Sequence, residues 1–193
     1  MVMPLADRGW TAEEVRNLPD DGNRYEVVGG ELLVTPAPRL THQEAVQALL
    51  LLLCPYVVQH RLGRVFASPA DIEFDPHTLV QPDLFVAPLV GGRRPRDWNE
   101  ITTLVLAVEV LSPSTARSDR TTKRRRYQRA GVPEYWTVDP DGRLVERWRP
   151  ADDRPEIIED QLTWNPSGAP EPLLIDLKSY FAGVHDDGDG ALP

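Results

Sequence analysis

The stretch Thr103–Leu111, TLVLAVEVL, constrains the fold more than any other. It reads as the most deeply buried strand of the chain, yet it carries a glutamate near its end. Val105, Leu106, Ala107, Val108, Val110 and Leu111 surround Glu109. An ionised carboxylate in such a run is costly unless it is paired, hydrogen-bonded or bound to a metal. Whatever fold the chain adopts must bring Glu109 a partner.

The 193 residues, 41% of them hydrophobic, suffice for one domain with a full core, expected over residues 1–182. Residues 183–193 are expected to form an acidic, disordered tail. Cys54, the single cysteine, lies in an apolar helical stretch and is expected to be buried and structural. One cysteine can build neither a disulfide framework nor a Cys-based zinc site within one chain. The start of the chain, MVMPLADRGW, lacks a basic segment followed by an apolar one, and Ala45–Val58 is too short to span a bilayer. A soluble, cytoplasmic protein with no membrane partner is expected.

The net charge of −9 is concentrated at the C-terminal end. Residues 1–150 carry 19 Lys and Arg against 20 Asp and Glu, whereas 151–193 carry 2 against 10. Within the first part, 117–129 holds seven basic residues against Asp119 alone, and RRPR at 93–96 adds a smaller cluster. Such runs form either a solvated helix face or a phosphate-binding surface.

The pattern of elements predicts an α/β (α+β) domain. Thr11–Leu18 reads as a short helix, with Thr11 and Glu14 at capping-box spacing. Residues 24–34 read as a β-hairpin around Gly29-Gly30. Thr41–His60 opens with Thr41 and Glu44 at the same spacing and continues as a helix buried on most sides, kinked or ended by Pro55. Strands are predicted at Gly63–Ser68, Ala70–Phe74, Leu79–Ala87 and Thr103–Leu111, with a polar loop at Gly91–Asn99. A helix follows over Asp119–Ala130, capped by Ser118 or Asp119 and stopped by Gly131 and Pro133. Residues 134–139 and 143–149 then form a second hairpin around Pro140-Asp141-Gly142.

Four groups could carry chemistry: Asp83 after Pro82, the buried Glu109, Glu31 beside the first turn, and Lys123 on the basic helix. Carboxylates converging with an amine would make a hard-oxygen site for a divalent cation. Helical spacing puts Asp119, Lys123, Tyr127 and Ala130 on one face, so Lys123 should point inward, where it could serve the site or simply pair with an acid.

The ordered series PD at 82–83, VEVLSPST at 108–115, the Asp119, Lys123 and Tyr127 spacing, and GVPEYWTVDP at 131–140 resembles the Uma-two family of the PD-(D/E)XK restriction-endonuclease-like superfamily. RYEVVGGEL at 24–32 and PAPRLTHQ at 36–43 fit it too, so that the resemblance spans residues 10–182. It implies a restriction-endonuclease-like mixed β-sheet flanked by helices, preceded by an N-terminal hairpin. The implied activity is Mg²⁺- or Mn²⁺-dependent hydrolysis of DNA phosphodiester bonds. Asp83, Glu109 and Glu31 would hold the metal. The motif's lysine would stand two residues after Glu109, but Leu111 is there, and Lys123 matches the position of a lysine supplied from the following helix. His42 and Gln43 also match family positions. Arg117, Arg120, Arg124 and Arg125 would contact the DNA backbone, and a homodimer would let both strands be cut. The alternative is a catalytically inactive nucleic-acid or protein-binding module that keeps the fold.

Overall fold

The computed structural model describes residues 9–187. In chain order it contains α1 (Ala12–Arg16), a hairpin of β1 (Arg24–Val28) and β2 (Glu31–Thr35), α2 (Leu40–Gln59), β3 (Arg64–Ala67), β4 (Ile72–Asp75), β5 (Thr78–Val80), β6 (Leu84–Ala87) and β7 (Leu106–Val110). A composite helix follows: α3 (Ala116–Ser118), a π-helical turn over Asp119–Lys123, and α4 (Arg124–Arg129). The chain then forms β8 (Tyr135–Asp139), β9 (Leu144–Trp148), β10 (Glu156–Ile158), β11 (Gln161–Trp164), β12 (Leu173–Asp176) and α5 (Leu177–His185).

The central sheet has the order β10-β9-β8-β7-β6-β3. Its single parallel pair is β7 with β8, and the composite helix is the crossover that a parallel pair requires. A second sheet, β2-β1-β5-β4, and a two-stranded β11-β12 sheet complete the fold.

Both faces of the central sheet are covered, which explains why β7 is apolar at consecutive positions. Leu84 and Val86 of β6, Leu106, Val108 and Val110 of β7, and Trp136 and Val138 of β8 pack toward α2 and α5. Phe85, Ala107 and Tyr135 point to the opposite face, where Tyr127 of the composite helix and Ile72 and Val80 of the second sheet enclose them. Side chains alternate along a strand, so Glu109 shares that face with Ala107.

The structure refines several expectations. The strand expected over Leu79–Ala87 divides into β5 and β6, which belong to different sheets. Pro82 lies at the break, where it lacks an N–H for a ladder. The composite helix begins before Asp119, and neither Ser118 nor Asp119 makes a side-chain cap. Likewise Thr41 lies inside α2, whose N-cap Arg39 makes no side-chain cap bond, and the helix runs through Pro55 to Gln59. That helix is buried on one face only, with Leu51 and Val58 about half exposed. Cys54 is free and only partly buried.

Sequence patterning did not identify β10 to β12 or α5. The strands are three or four residues long, too short to display an alternation. Within the expected tail, α5 continues to His185, whose Nε2 lies 2.8 Å from the Pro140 carbonyl, and Asp187 pairs with Arg143. Residues 188–193 lie outside the described residues. Among the described residues, no helix is long and apolar enough to cross a membrane.

Gly63 holds the entry to β3 at φ 152°, and a Cβ there would lie 2.0 Å from the Ala87 carbonyl oxygen. Gly63→Ala is therefore expected to lower stability by about 2–3 kcal/mol, measured as a reduced urea midpoint. A midpoint equal to wild type would show that β3 and β6 are not held this closely.

Candidate active site

The break at Pro82 places Asp83 just before β6, and the sheet register sets it beside the end of β7. Asp83 Oδ2 accepts a 2.8 Å hydrogen bond from the Val110 backbone N–H and lies 3.0 Å from His42 Nε2, while Oδ1 accepts from the Arg24 guanidinium at 2.7 Å. Burial by itself would raise its pKa. The His42 hydrogen bond and the Arg24 charge outweigh that effect and hold the carboxyl well below the usual range.

Behind Asp83 lies a second buried group centred on Lys123. Its Nζ is 2.7 Å from Glu26 Oε2, 3.1 Å from Glu109 Oε1 and 3.5 Å from Asp119 Oδ1. Tyr127 donates its hydroxyl to Glu109 Oε1 at 3.1 Å, and Glu26 Oε1 accepts from the Gln81 backbone N–H at 2.7 Å. The partner that Glu109 required is thus an ammonium from the crossover helix. The helical periodicity that turned Lys123 inward holds across the π turn, a feature frequently found at functional sites.

These charges do not balance. Asp83, Glu109, Glu26 and Asp119 face Arg24 and Lys123, with His42 alongside. Burial pushes Glu109 well above its ordinary pKa; Lys123 opposes this, and Asp83, Asp119 and Glu26 add to it. Asp119 is raised for the same first cause. Lys123 is raised too, because the three carboxylates overcome its desolvation.

Glu31 is not part of this cluster. It begins β2, the edge strand of its sheet, pairs across the hairpin with Val28 of β1, and is exposed. The interior strand β1 instead supplies Glu26, which is fully buried. Glu26 could have been found in the sequence, because Tyr25, Val27 and Val28 surround it much as aliphatics surround Glu109. Arg24 and His42 carried no comparable signal, since their roles arise from contacts between distant segments. No group of three His, Cys, Asp or Glu side chains among the described residues is spaced to hold a metal ion.

Asp83 lines a cleft of about 680 Å³, together with residues of segments 20–25, 35–39 and Ser112–Thr115. Glu109 and Lys123 are buried and do not line it. On the basic helix, Arg120 bonds Glu146 at 2.7 Å and Asp139 at 3.0 Å, and the Arg124 guanidinium stacks 4.5 Å from the Trp148 ring centre. Arg126 pairs with Asp75. Arg117 and Arg125 are exposed.

Residues 12–177 match the Uma2 family, described as "Putative restriction endonuclease". The chain belongs to this family. Among solved structures it resembles a nuclease, titled "putative" and assigned to DUF820, from Anabaena variabilis ATCC 29413. The TM-score is 0.74 at 24% identity, over 91% of this chain and 99% of that one. That likeness establishes a shared fold. No match was found among curated protein sequences. The Uma2 assignment agrees with the ordered motifs of the sequence, and Asp83, Glu109 and Lys123 of those motifs meet at one place.

The raised Glu109 has a measurable consequence. A carboxyl whose folded pKa exceeds its unfolded value contributes stability below the unfolded value, and that stability is lost as pH rises through the folded one. Glu109→Gln in chelator-treated buffer is therefore expected to raise the urea midpoint relative to wild type at pH 8. The advantage should shrink as pH falls toward 4.5, the ordinary glutamate value. A pH-independent difference would mean that Glu109 is ionised throughout this range.

Proposed function

We propose that this Uma2 chain is a metal-dependent endonuclease that hydrolyses DNA phosphodiester bonds. The observation that carries the reading is that Asp83, which lines a cleft, acts through its charge on the buried Glu109–Lys123 pair, the three residues coming from three separate segments. The donor chemistry fits a divalent cation. Two hard-oxygen carboxylates adjoin each other in a cluster whose acids outnumber its fixed cations by two, an excess that Mg²⁺ or Mn²⁺ would neutralise. Asp83 and Glu109 would hold the ion, and Glu31 is too far out on the hairpin edge to be proposed for that role. When bound, such a cation supplies Lewis acidity and a more acidic water.

The chain's own groups perform the remaining tasks. Arg24, His42 and the Val110 N–H keep Asp83 ionised and aimed at the cleft. Tyr127 and Lys123 fix the orientation of Glu109. Glu26 and Asp119 keep Lys123 protonated, so its charge opposes the negative charge that develops on the phosphoryl oxygens. In the net reaction a water oxygen bonds to phosphorus and one P–O ester bond breaks. One water proton ends on the leaving oxygen and the other passes to solvent.

A binding module without catalysis is the rival reading, favoured by Leu111 at the motif's lysine position and by the bonds that both oxygens of Asp83 already carry. Plasmid cleavage and calorimetry separate the two. Asp83→Asn and Glu109→Gln are each expected to reduce Mn²⁺-dependent cleavage at least about a hundredfold while the chain remains folded. Failure of the wild type to cleave DNA or to bind Mn²⁺ would remove the enzyme reading.

The surroundings of the basic helix divide its arginines. Replacing Arg117 and Arg125 with Ala is expected to weaken DNA binding and reduce the slope of log affinity against log salt by about 0.7–0.9 per lost phosphate contact. Arg120→Ala should instead lower thermal stability, because it strands Asp139 and Glu146. An unchanged salt slope in the double variant would leave Arg117 and Arg125 as solvated surface.

A further inference from the structure

The form of DNA that can reach this site is limited by its depth. Asp83 is 3% exposed, and Glu109 and Lys123 are 1% exposed, so the scissile phosphate has to descend to the cleft floor. The cleft volume of about 680 Å³ falls within the roughly 300–1,000 Å³ range of pockets that enclose one small ligand. A base-paired helix is far larger. Its major groove alone is about 12 Å wide, and its persistence length of about 150 bp makes it a stiff rod at this scale. Lowering one of its phosphates into such a cleft requires unstacking or unpairing, at a cost of a few kcal/mol.

The charge of the walls favours the same conclusion. Arg16, Arg24 and Arg39 line the cleft against Asp20, Asp71 and Asp83, so the lining is balanced. Arg16 is engaged by Glu73 at 2.6 Å and Arg24 by Asp83 at 2.7 Å, which leaves Arg39 at the start of α2 to meet a phosphate. A duplex held chiefly through its two backbones requires a broader cationic surface. Tyr25 adds an aromatic ring to the lining, and aromatic faces hold unpaired bases by stacking irrespective of sequence. Tyr25 is tethered by its hydroxyl, which donates to Asp21 at 2.7 Å.

We infer that the substrate is unpaired DNA, a single strand or an unpaired flap, which enters the cleft lined by Tyr25, Pro36–Pro38 and Ser112–Thr115 to bring one phosphodiester onto Asp83. The inference rests on the nuclease reading and narrows its substrate class. Arg39 is the phosphate contact inside the cleft, and the exposed Arg117 follows Ser112–Thr115 in the chain.

The test offers one end-labelled DNA sequence to the full chain with Mn²⁺ in three forms: single-stranded, fully paired, and paired with an unpaired flap. Cleavage confined to unpaired nucleotides, about tenfold or more faster than in the paired form, is expected from the cost of unpairing. Equal or faster cutting of the paired form would overturn the inference and leave the nuclease reading intact. No cutting of any form would overturn both. Ala37→Trp, which fills the cleft from an exposed position, should slow single-strand cutting about tenfold while Mn²⁺ binding by calorimetry is unchanged. An undiminished rate in that variant would show that the strand does not enter by this route.

Discussion

The ammonium of Lys123 joins three parts of this molecule at a single buried point. Within 3.5 Å it finds Glu26 from the second sheet, Glu109 from the central strand and Asp119 from its own helix. A buried charge is tolerated only when its partners are close and hydrogen-bonded, and removing the ammonium would leave the carboxylates uncompensated at a cost of about 3–5 kcal/mol. Lys123 thus adds a polar tie to the hydrophobic core that packs β1, β7 and the crossover helix together.

The arrangement also separates two roles that carboxylates can play. Asp83, at the cleft, is held ionised by a guanidinium, an imidazole and a backbone N–H. Glu109, a short distance deeper, is pushed the other way by burial and by neighbouring acids, with Lys123 resisting. The acids of this buried group therefore outnumber its fixed cations. The same depth that makes the charges strong also restricts what can approach them.

Much of this was legible in the chain because some physical costs are local. A glutamate among aliphatics in β7 demanded a partner, helical periodicity turned Lys123 inward, and glycine and proline marked the hairpins and the end of the crossover helix. Glu31 shows the limit of such reasoning. An acid beside a turn and an acid five residues earlier look equally plausible until it is known that β1 lies inside its sheet and β2 at the edge. The split of residues 79–87 between two sheets was hidden for a related reason, since an apolar run does not reveal that its ladder partners change at Pro82.

The sequence by itself determined the elements, the inward face of the basic helix, the need to neutralise Glu109, and membership of the Uma2 family through the order of its motifs. Only the tertiary structure decided that Glu26 rather than Glu31 completes the acidic cluster, that Arg24 and His42 grip Asp83, and that Arg120 is occupied by Asp139 and Glu146. The reason is the range of the interactions. Hydrophobic periodicity and turn chemistry act over a few residues, whereas hydrogen bonds and ion pairs between segments as much as 135 residues apart depend on the tertiary arrangement, which no local pattern encodes.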